Sequence, residues 1–403
     1  MATCQALVLH GPKDLRLEPK STPHPTGTEV QVAIRATGLC GSDLHYYTHG
    51  RNGDFVVRSP LCLGHESSGI VTATGPETQH LKVGDRVALE VGLPCRNCPL
   101  CLASPSRYNL CPAMAFRSSA KTYPHLDGTL MELTTHPEDM CHKLPDNVSF
   151  VGGALVEPLA VCLHAIRRSN PPSKSPEGGS GHGHGHGYGS SALVFGAGAI
   201  GLLLAAALAA QEIFTRIVVA DIDASRLKIA EDLGLSNLST FLIPRPENPP
   251  SRDAPHAEQT SFALATAQSV AGSLKAIIGD VDTAGLGFTR VYDCTGVPAC
   301  VQAGIYAASP GAVLVQIGMG NPVQTVPLGA AALREVDIIG VFRYDGFAYP
   351  AAIELMASGK MDVVEEKVVT HRLRLEEGVR AFGLAGAGAD EEGRTVVKVV
   401  IES

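Results

Sequence analysis

The chain runs through two hydrophobic rhythms. Up to about residue 90 it offers short runs rich in β-branched residues, separated by Gly and Pro: Ala6-Leu7-Val8-Leu9, Glu29-Val30-Gln31-Val32-Ala33-Ile34 and Ser68-Gly69-Ile70-Val71. Runs of this kind predict strands. Val83-Gly84-Asp85-Arg86-Val87 predicts a turn entering another strand. From about 192 the pattern becomes strand, helix, strand. Ala192-Leu193-Val194-Phe195 is a buried-strand run, an apolar helical stretch follows, and Arg216-Ile217-Val218-Val219-Ala220-Asp221 is a second strand. Further strand runs stand at 290–294 and 312–317, with helical segments between them. This alternation predicts a parallel, doubly wound sheet. The last stretch mixes a helix near 350–358 with a strand run at 395–400 and reads like the β-rich start. The expected organisation is a discontinuous β-rich domain, 1–160 and 338–403, with an α/β domain over 191–337.

Two stretches break the rhythm. Residues 169–190 are rich in Ser, Pro and Gly and contain His182, His184 and His186 between glycines. That is the composition of a flexible insert; weak metal binding by the Gly-His run is the other reading. Residues 244–257 are proline-rich and polar, a second surface insert. A length of 403 residues suits two domains, and 45% hydrophobic with 18% charged residues suits a soluble globular chain. A net charge of −8 argues against a nucleic-acid partner. No run of about 20 apolar residues predicts a membrane span. The start, Met1-Ala2-Thr3-Cys4-Gln5, has no basic segment followed by an apolar one, so a cytoplasmic protein is expected. Eleven cysteines, an odd number, then point to reduced thiols and metal ligands.

Candidate chemistry sits mainly in the loops. Cys40, His65 and Glu66 offer a thiolate, an imidazole and a carboxylate, which Zn²⁺ accepts together. A catalytic zinc takes three protein ligands and leaves one position open. The bland reading makes Gly64-His65-Glu66 a turn beside a satisfied histidine. In Cys40-Gly41-Ser42-Asp43-Leu44-His45 the spacing of Ser42 and His45 suits a proton relay, with capping of a helix start as the alternative. Cys95, Cys98, Cys101 and Cys111 form C-x2-C-x2-C-x9-C, a pattern for a closed structural zinc site. An iron–sulfur cluster or a set of unpaired thiols would use the same residues. Glu157 lies in the apolar run 154–160 and, if buried, needs a metal or a metal-bound water as partner. An exposed glutamate before Pro158 is the alternative.

Gly196-Ala197-Gly198-Ala199-Ile200-Gly201 is a G-x-G-x-x-G between a strand and a helix. Gly196, Gly198 and Gly201 let the chain turn tightly and let a pyrophosphate approach the helix N-terminus. Asp221, about 20 residues further on, is placed to bond a ribose 2′-OH and repel a 2′-phosphate, which favours NAD over NADP. Asp223 competes for that role. Arg226 can cover the adenine or ribose side, or be an exposed helix arginine.

Taken together, Cys40-Gly41-Ser42-Asp43-Leu44-His45-Tyr46, Gly64-His65-Glu66, the Cys95–Cys111 lobe, Glu157-Pro158-Leu159, the glycine motif and Arg334-Glu335-Val336-Asp337-Ile338-Ile339-Gly340-Val341-Phe342-Arg343-Tyr344 resemble the zinc-containing medium-chain dehydrogenases. Within them the last stretch resembles the sorbitol (polyol) dehydrogenase branch. The resemblance implies a β-rich GroES-like catalytic domain and a doubly wound Rossmann domain. It implies catalytic zinc on Cys40, His65 and Glu66, with Glu157 at the metal or its water. Tyr46, Glu157, Arg343 and Tyr344 match polyol contacts. Ile200, Asp221, Arg226, Ile317, Gly318, Met319, Val341, Phe342 and Arg343 match cofactor contacts. The implied reaction is reversible oxidation of a polyol to a ketose with NAD, of the sorbitol or L-iditol 2-dehydrogenase type and extending to xylitol, in a homotetramer. An L-arabinitol 4-dehydrogenase or a xylitol 2-dehydrogenase is the alternative, and a non-catalytic nucleotide-binding protein a more distant one. Two departures stand out: the Cys101–Cys111 spacing is longer than usual in the family, and the loop after Phe116 lacks the family's Ala-Thr-Pro-Pro run.

Overall fold

The computed structural model of the protein describes residues 3–22, 24–171, 190–283 and 286–403. The chain forms two compact units, Met1–Val161 with Arg343–Ser403, and Cys162–Phe342. The Gly-His run at 182–186 lies outside the described residues.

The first unit is built around a seven-stranded sheet. Its central strand, Glu29–Gly38, pairs antiparallel with Glu66–Thr74, Leu133–Pro137 and the C-terminal strand Lys398–Glu402. Val30, Val32 and Ile34 alternate along the central strand and turn one face inward, where they meet Val71, Val87 and Leu89. Each such burial contributes roughly 1.5–3 kcal/mol relative to exposure. The register is what matters for the site. Gly38 pairs with Glu66, and Val400 pairs with Gly38. Residues just past the end of the central strand therefore stand beside the start of two others. The C-terminal run returns to this sheet, as its β-rich pattern suggests.

The second unit is a six-stranded parallel sheet. Its spatial order is Leu238–Leu242, Arg216–Asp221, Ser191–Phe195, Phe288–Asp293, Ala308–Gln316, Asp337–Gly340. That is the doubly wound order, with the switch point between Ser191–Phe195 and Phe288–Asp293. Ser191–Phe195 is buried along its whole length, which explains its unbroken apolar run. Because Asp337–Gly340 is the sixth strand of this sheet, the chain leaves the second unit at Arg343, beyond the expected 338. The expected insert also begins too early at 169. Ser169 is fully buried, and its hydroxyl lies 2.9 Å from that of Tyr292.

By length and composition, one described helix, His256–Gly279, is apolar enough to cross a membrane. Ala267, Val270, Ala271, Leu274 and Ile278 recur at helical spacing and join one core cluster with Phe195 and Val218. That one-sided burial is the pattern of a core helix covering a sheet.

Candidate active site

Strand pairing assembles the donor set. Cys40 follows the central strand and is the N-cap residue of the helix Gly41–His49. His65 and Glu66 stand at the start of Glu66–Thr74, and the Gly38–Glu66 pairing sets Cys40 beside them. The ligand atoms of Cys40, His65 and Glu66 lie within 4.8 Å of one another. His65 and Glu66 are only 5% and 1% exposed. A thiolate, an imidazole and a carboxylate converging in a buried pocket fit a zinc ion.

Asp43, given no role by the sequence reading, orders this pocket. It is fully buried, and its Oδ1 accepts from Ser118 Oγ at 2.7 Å and from the Gly64 N–H at 3.2 Å. The same oxygen lies 3.3 Å from His65 Nδ1, and Oδ2 accepts from the Cys40 N–H at 3.2 Å. A carboxylate on Nδ1 leaves Nε2 facing the donor pocket, the arrangement that orients metal-bound histidines. Burial alone would lower the His65 pKa, but the Asp43 and Cys40 charges outweigh it and hold it well above the ordinary value. Cys40 and Asp43 also make the capping box of the helix, so Ser42 and His45 are not its caps. Ser42 Oγ lies 3.5 Å from His65 Nε2, and His45 is exposed one turn along the helix.

Glu157 is 5% exposed in the first turn of Val156–Arg168. Burial and the nearby Glu66 charge push its pKa up to about 7, against the pull of His65, Lys398 and Arg343. The exposed-glutamate alternative is thereby excluded. Arg343 takes φ +54, a left-handed conformation uncommon outside glycine. Its guanidinium stacks 3.6 Å from the centre of the Phe116 ring, and Phe116 in turn packs on His65. Tyr46 is 2% exposed, and its hydroxyl accepts from the Ala120 N–H at 3.0 Å. Tyr344 is equally buried and packs on Tyr349.

The sequence reading also missed Lys398. Its ammonium is buried and forms an ion pair with Glu66 Oε2. The signal was present as a single lysine inside an otherwise apolar strand run.

The four cysteines form a separate cluster in the same unit, with sulfur atoms within 4.8 Å of one another. Cys98 Sγ and Cys101 Sγ are 3.4 Å apart, and the Cys95 N–H donates to Cys111 Sγ at 3.5 Å. Backbone N–H groups of Asn97 and Cys98 lower the Cys95 thiol to about 6. Burial and the Cys98 thiol raise Cys101 to about 12. Tyr108, three residues before Cys111, anchors the lobe through its hydroxyl on Glu90.

In the second unit the glycine motif caps and opens the helix Ala199–Ala210. Gly196 has φ +96, and a Cβ at Gly201 would collide with the Gly196 carbonyl. Only glycine allows that crossing, which leaves the helix N-terminus open to a phosphate. Asp221 ends its strand and accepts from the Ala197 N–H at 2.6 Å, which puts its carboxylate at the loop. Asp223 instead caps the helix Ala224–Asp232. Arg226 Nη1 would stand 3.8 Å from a Cβ at Gly198, so it lies over the same loop. Ile200 is half-buried in the first turn. Ile317 and Gly318 both donate to the Asp293 carbonyl at 2.9 Å, beside the switch point, while Met319 is exposed. The Val341 N–H donates to the Gln316 carbonyl at 3.0 Å, and Phe342 is partly exposed. This cradle fits a dinucleotide.

Comparison with known proteins agrees with this architecture. Residues 26–146 match the alcohol dehydrogenase GroES-like domain, and residues 199–358 match the zinc-binding dehydrogenase domain. The chain is 40% identical to sorbitol dehydrogenase of Macaca fascicularis over 94% of its length and 91% of that protein. It is also 40% identical to sorbitol dehydrogenase of Homo sapiens, with the same coverage. L-idonate 5-dehydrogenase from Escherichia coli shares the fold, with a TM-score of 0.78, 24% identity, and coverage of 100% of this chain and 99% of that one. The chain belongs to the zinc-binding, medium-chain dehydrogenase family. It is accordingly an oxidoreductase acting on CH–OH groups, with zinc and a nicotinamide dinucleotide as its cofactors.

Proposed function

We propose that the protein reversibly oxidises a secondary alcohol of a polyol to a ketose with NAD⁺, as a sorbitol or L-iditol 2-dehydrogenase that also takes xylitol to D-xylulose. The observation that carries the reading is the donor set of half-buried Cys40 and buried His65 and Glu66, beside Glu157 and Arg343. Its support from comparison is the identity to sorbitol dehydrogenases along nearly the whole chain. Cys40, His65 and Glu66 would hold the catalytic zinc, and Cys95, Cys98, Cys101 and Cys111 a structural one. When bound, the catalytic zinc supplies Lewis acidity that lowers the pKa of an alcohol, and the nicotinamide supplies the hydride acceptor.

The protein's own groups do the rest. Glu157 is a buried carboxyl beside the donor set, raised in pKa by burial, which suits a group that holds or releases a proton beside the reacting hydroxyl. Ser42, 3.5 Å from His65 Nε2, and the exposed His45 one turn further along the helix would pass the alcohol proton outward. Arg343, fixed on Phe116, presents hydrogen-bond donors to a polyol chain, with Tyr46 and Tyr344 as the other substrate contacts. Gly196, Gly198, Ile200, Gly201, Asp221 and Arg226 hold the adenosine half of NAD. Ile317, Gly318, Met319, Val341, Phe342 and Arg343 serve the nicotinamide half. Asp221 at the glycine loop favours NAD over NADP.

A cytoplasmic homotetramer is the matching expectation for compartment and assembly. The edge strand Asp337–Gly340, with Ile338 exposed, offers a free ladder for pairing with a second copy. The deciding experiment is a panel of sorbitol, xylitol, L-iditol and L-arabinitol with NAD⁺ and NADP⁺ side by side. NADH formation fastest on sorbitol or L-iditol supports the reading, and a clear preference for L-arabinitol favours the 4-dehydrogenase. No turnover on any of the four by zinc-replete protein contradicts the polyol assignment.

A further inference from the structure

A lysine ammonium is an odd neighbour for metal donors, because it repels the cation they are meant to hold. Yet Lys398 is only 3% exposed, makes an ion pair with Glu66 Oε2 and donates to the Leu39 carbonyl at 3.0 Å. Strand register explains how it gets there. Val400 pairs with Gly38, so Lys398 stands level with Cys40, each two residues beyond that pair. Gly38 makes the room. A Cβ there would collide with Glu66 Oε2 and stand 2.9 Å from Lys398 Cε. Gly38 and Lys398, from two strands paired with or neighbouring that of Glu66, therefore close around its carboxylate.

The charges around this point are mostly negative. Glu66 and the Cys40 thiol face the ammonium, and the Glu157 charge also acts on it. Removing one partner of a buried ion pair is more damaging than the pair itself is stabilising, because the remaining charge is left buried and alone. A bound dication would supply Glu66 with a second partner. Loss of the lysine should therefore harm the metal-free protein more than the metal-loaded one.

Resting on the zinc assignment above, we propose that Lys398 is a positioning residue for the metal centre. It holds one oxygen of Glu66, assembles the donor pocket before a divalent cation enters, and makes that cation bind less tightly than the bare donors would. The test compares wild type, Lys398→Met and Lys398→Arg. Zinc affinity is measured by chelator competition, and thermal midpoints are measured for metal-stripped and zinc-loaded protein.

In the Met variant, zinc binding tightens by roughly tenfold or more, and the stripped midpoint falls further than the loaded one. The Arg variant returns both towards wild type. Unchanged or weaker zinc binding in the Met variant, or equal losses in the stripped and loaded midpoints, overturns the proposal. If the stripped Met variant does not fold, Lys398→Gln purified with zinc gives the answer through its rate of zinc loss to chelator. Slower loss supports the role, and unchanged or faster loss overturns it. A wild-type zinc content that Cys40→Ser does not lower overturns the underlying site and this inference together. A content lowered by Cys40→Ser, with affinity indifferent to residue 398, overturns the inference alone.

Discussion

Two clusters in the first unit each gather their donor atoms within 4.8 Å, and they are built in opposite ways. Cys95, Cys98, Cys101 and Cys111 come from one short stretch, carry one kind of ligand and are mostly half-exposed. Cys40, His65 and Glu66 are brought together by strand pairing, carry three kinds of ligand and are backed by Asp43, Lys398 and Glu157. Four thiolates saturate a tetrahedral ion and leave nothing for a substrate. Three mixed ligands leave a position open, and the charged groups behind them can tune what happens there. The surrounding shell separates a site that pins a lobe from one that does chemistry.

The largest effect should come from cutting the open site. Cys40→Ser is expected to reduce NADH formation to near background while NADH binding, followed by fluorescence titration, stays close to wild type. Loss of binding as well would mean that Cys40 supports the fold and not only the metal. Next comes the shell. Asp43→Asn keeps the shape but removes the charge on His65 Nδ1, and should cost about 10–100-fold in metal affinity or turnover. An unchanged chelator titration would remove Asp43 from the account.

Cys101→Ser should act differently, lowering the thermal midpoint by several degrees while kcat of the surviving folded enzyme stays within a few-fold of wild type. A collapse of kcat with no stability change would erase the distinction between the clusters.

A pH effect concerns neither metal. His136, fully buried on the strand Leu133–Pro137, has its pKa lowered from 6.5 to about 3 by burial and by Arg117. A histidine lowered in the folded state favours folding fully above its unfolded value. That contribution is lost as pH falls from about 6.5 towards about 3. Urea unfolding at stepped pH should show this loss in wild type and a shallower one in His136→Gln. Identical slopes would contradict it.

The same contrast explains what could be read in advance. The cysteine quartet and the glycine motif are local, so their spacing alone announces them. The doubly wound order follows from strand runs alternating with helices. Asp43 gave no such signal and Lys398 only that of a lone lysine in an apolar run, because their roles depend on what the fold brings beside them. Asp43, in the first turn of the helix Gly41–His49, meets His65 only once the fold brings the two together, and Lys398 reaches Glu66 only after the last strand pairs with the central one. Tyr46 and Tyr344 match polyol contacts only by family pattern, and nothing local in the sequence announces that both are buried. The strand Asp337–Gly340 was not read from the sequence: it is short and mostly exposed, and it joins the parallel sheet by pairing with Ala308–Gln316, the strand before it in the chain.

The most direct test of the central claim is zinc-edge X-ray absorption on a Cys98→Ser/Cys101→Ser variant, in which the thiolate lobe no longer holds metal. A zinc ion seen there should have one sulfur at about 2.3 Å and the rest nitrogen or oxygen near about 2.0–2.2 Å, as Cys40, His65 and Glu66 require. A shell of sulfur alone, or no firmly bound zinc, would contradict an open metal centre at these three residues.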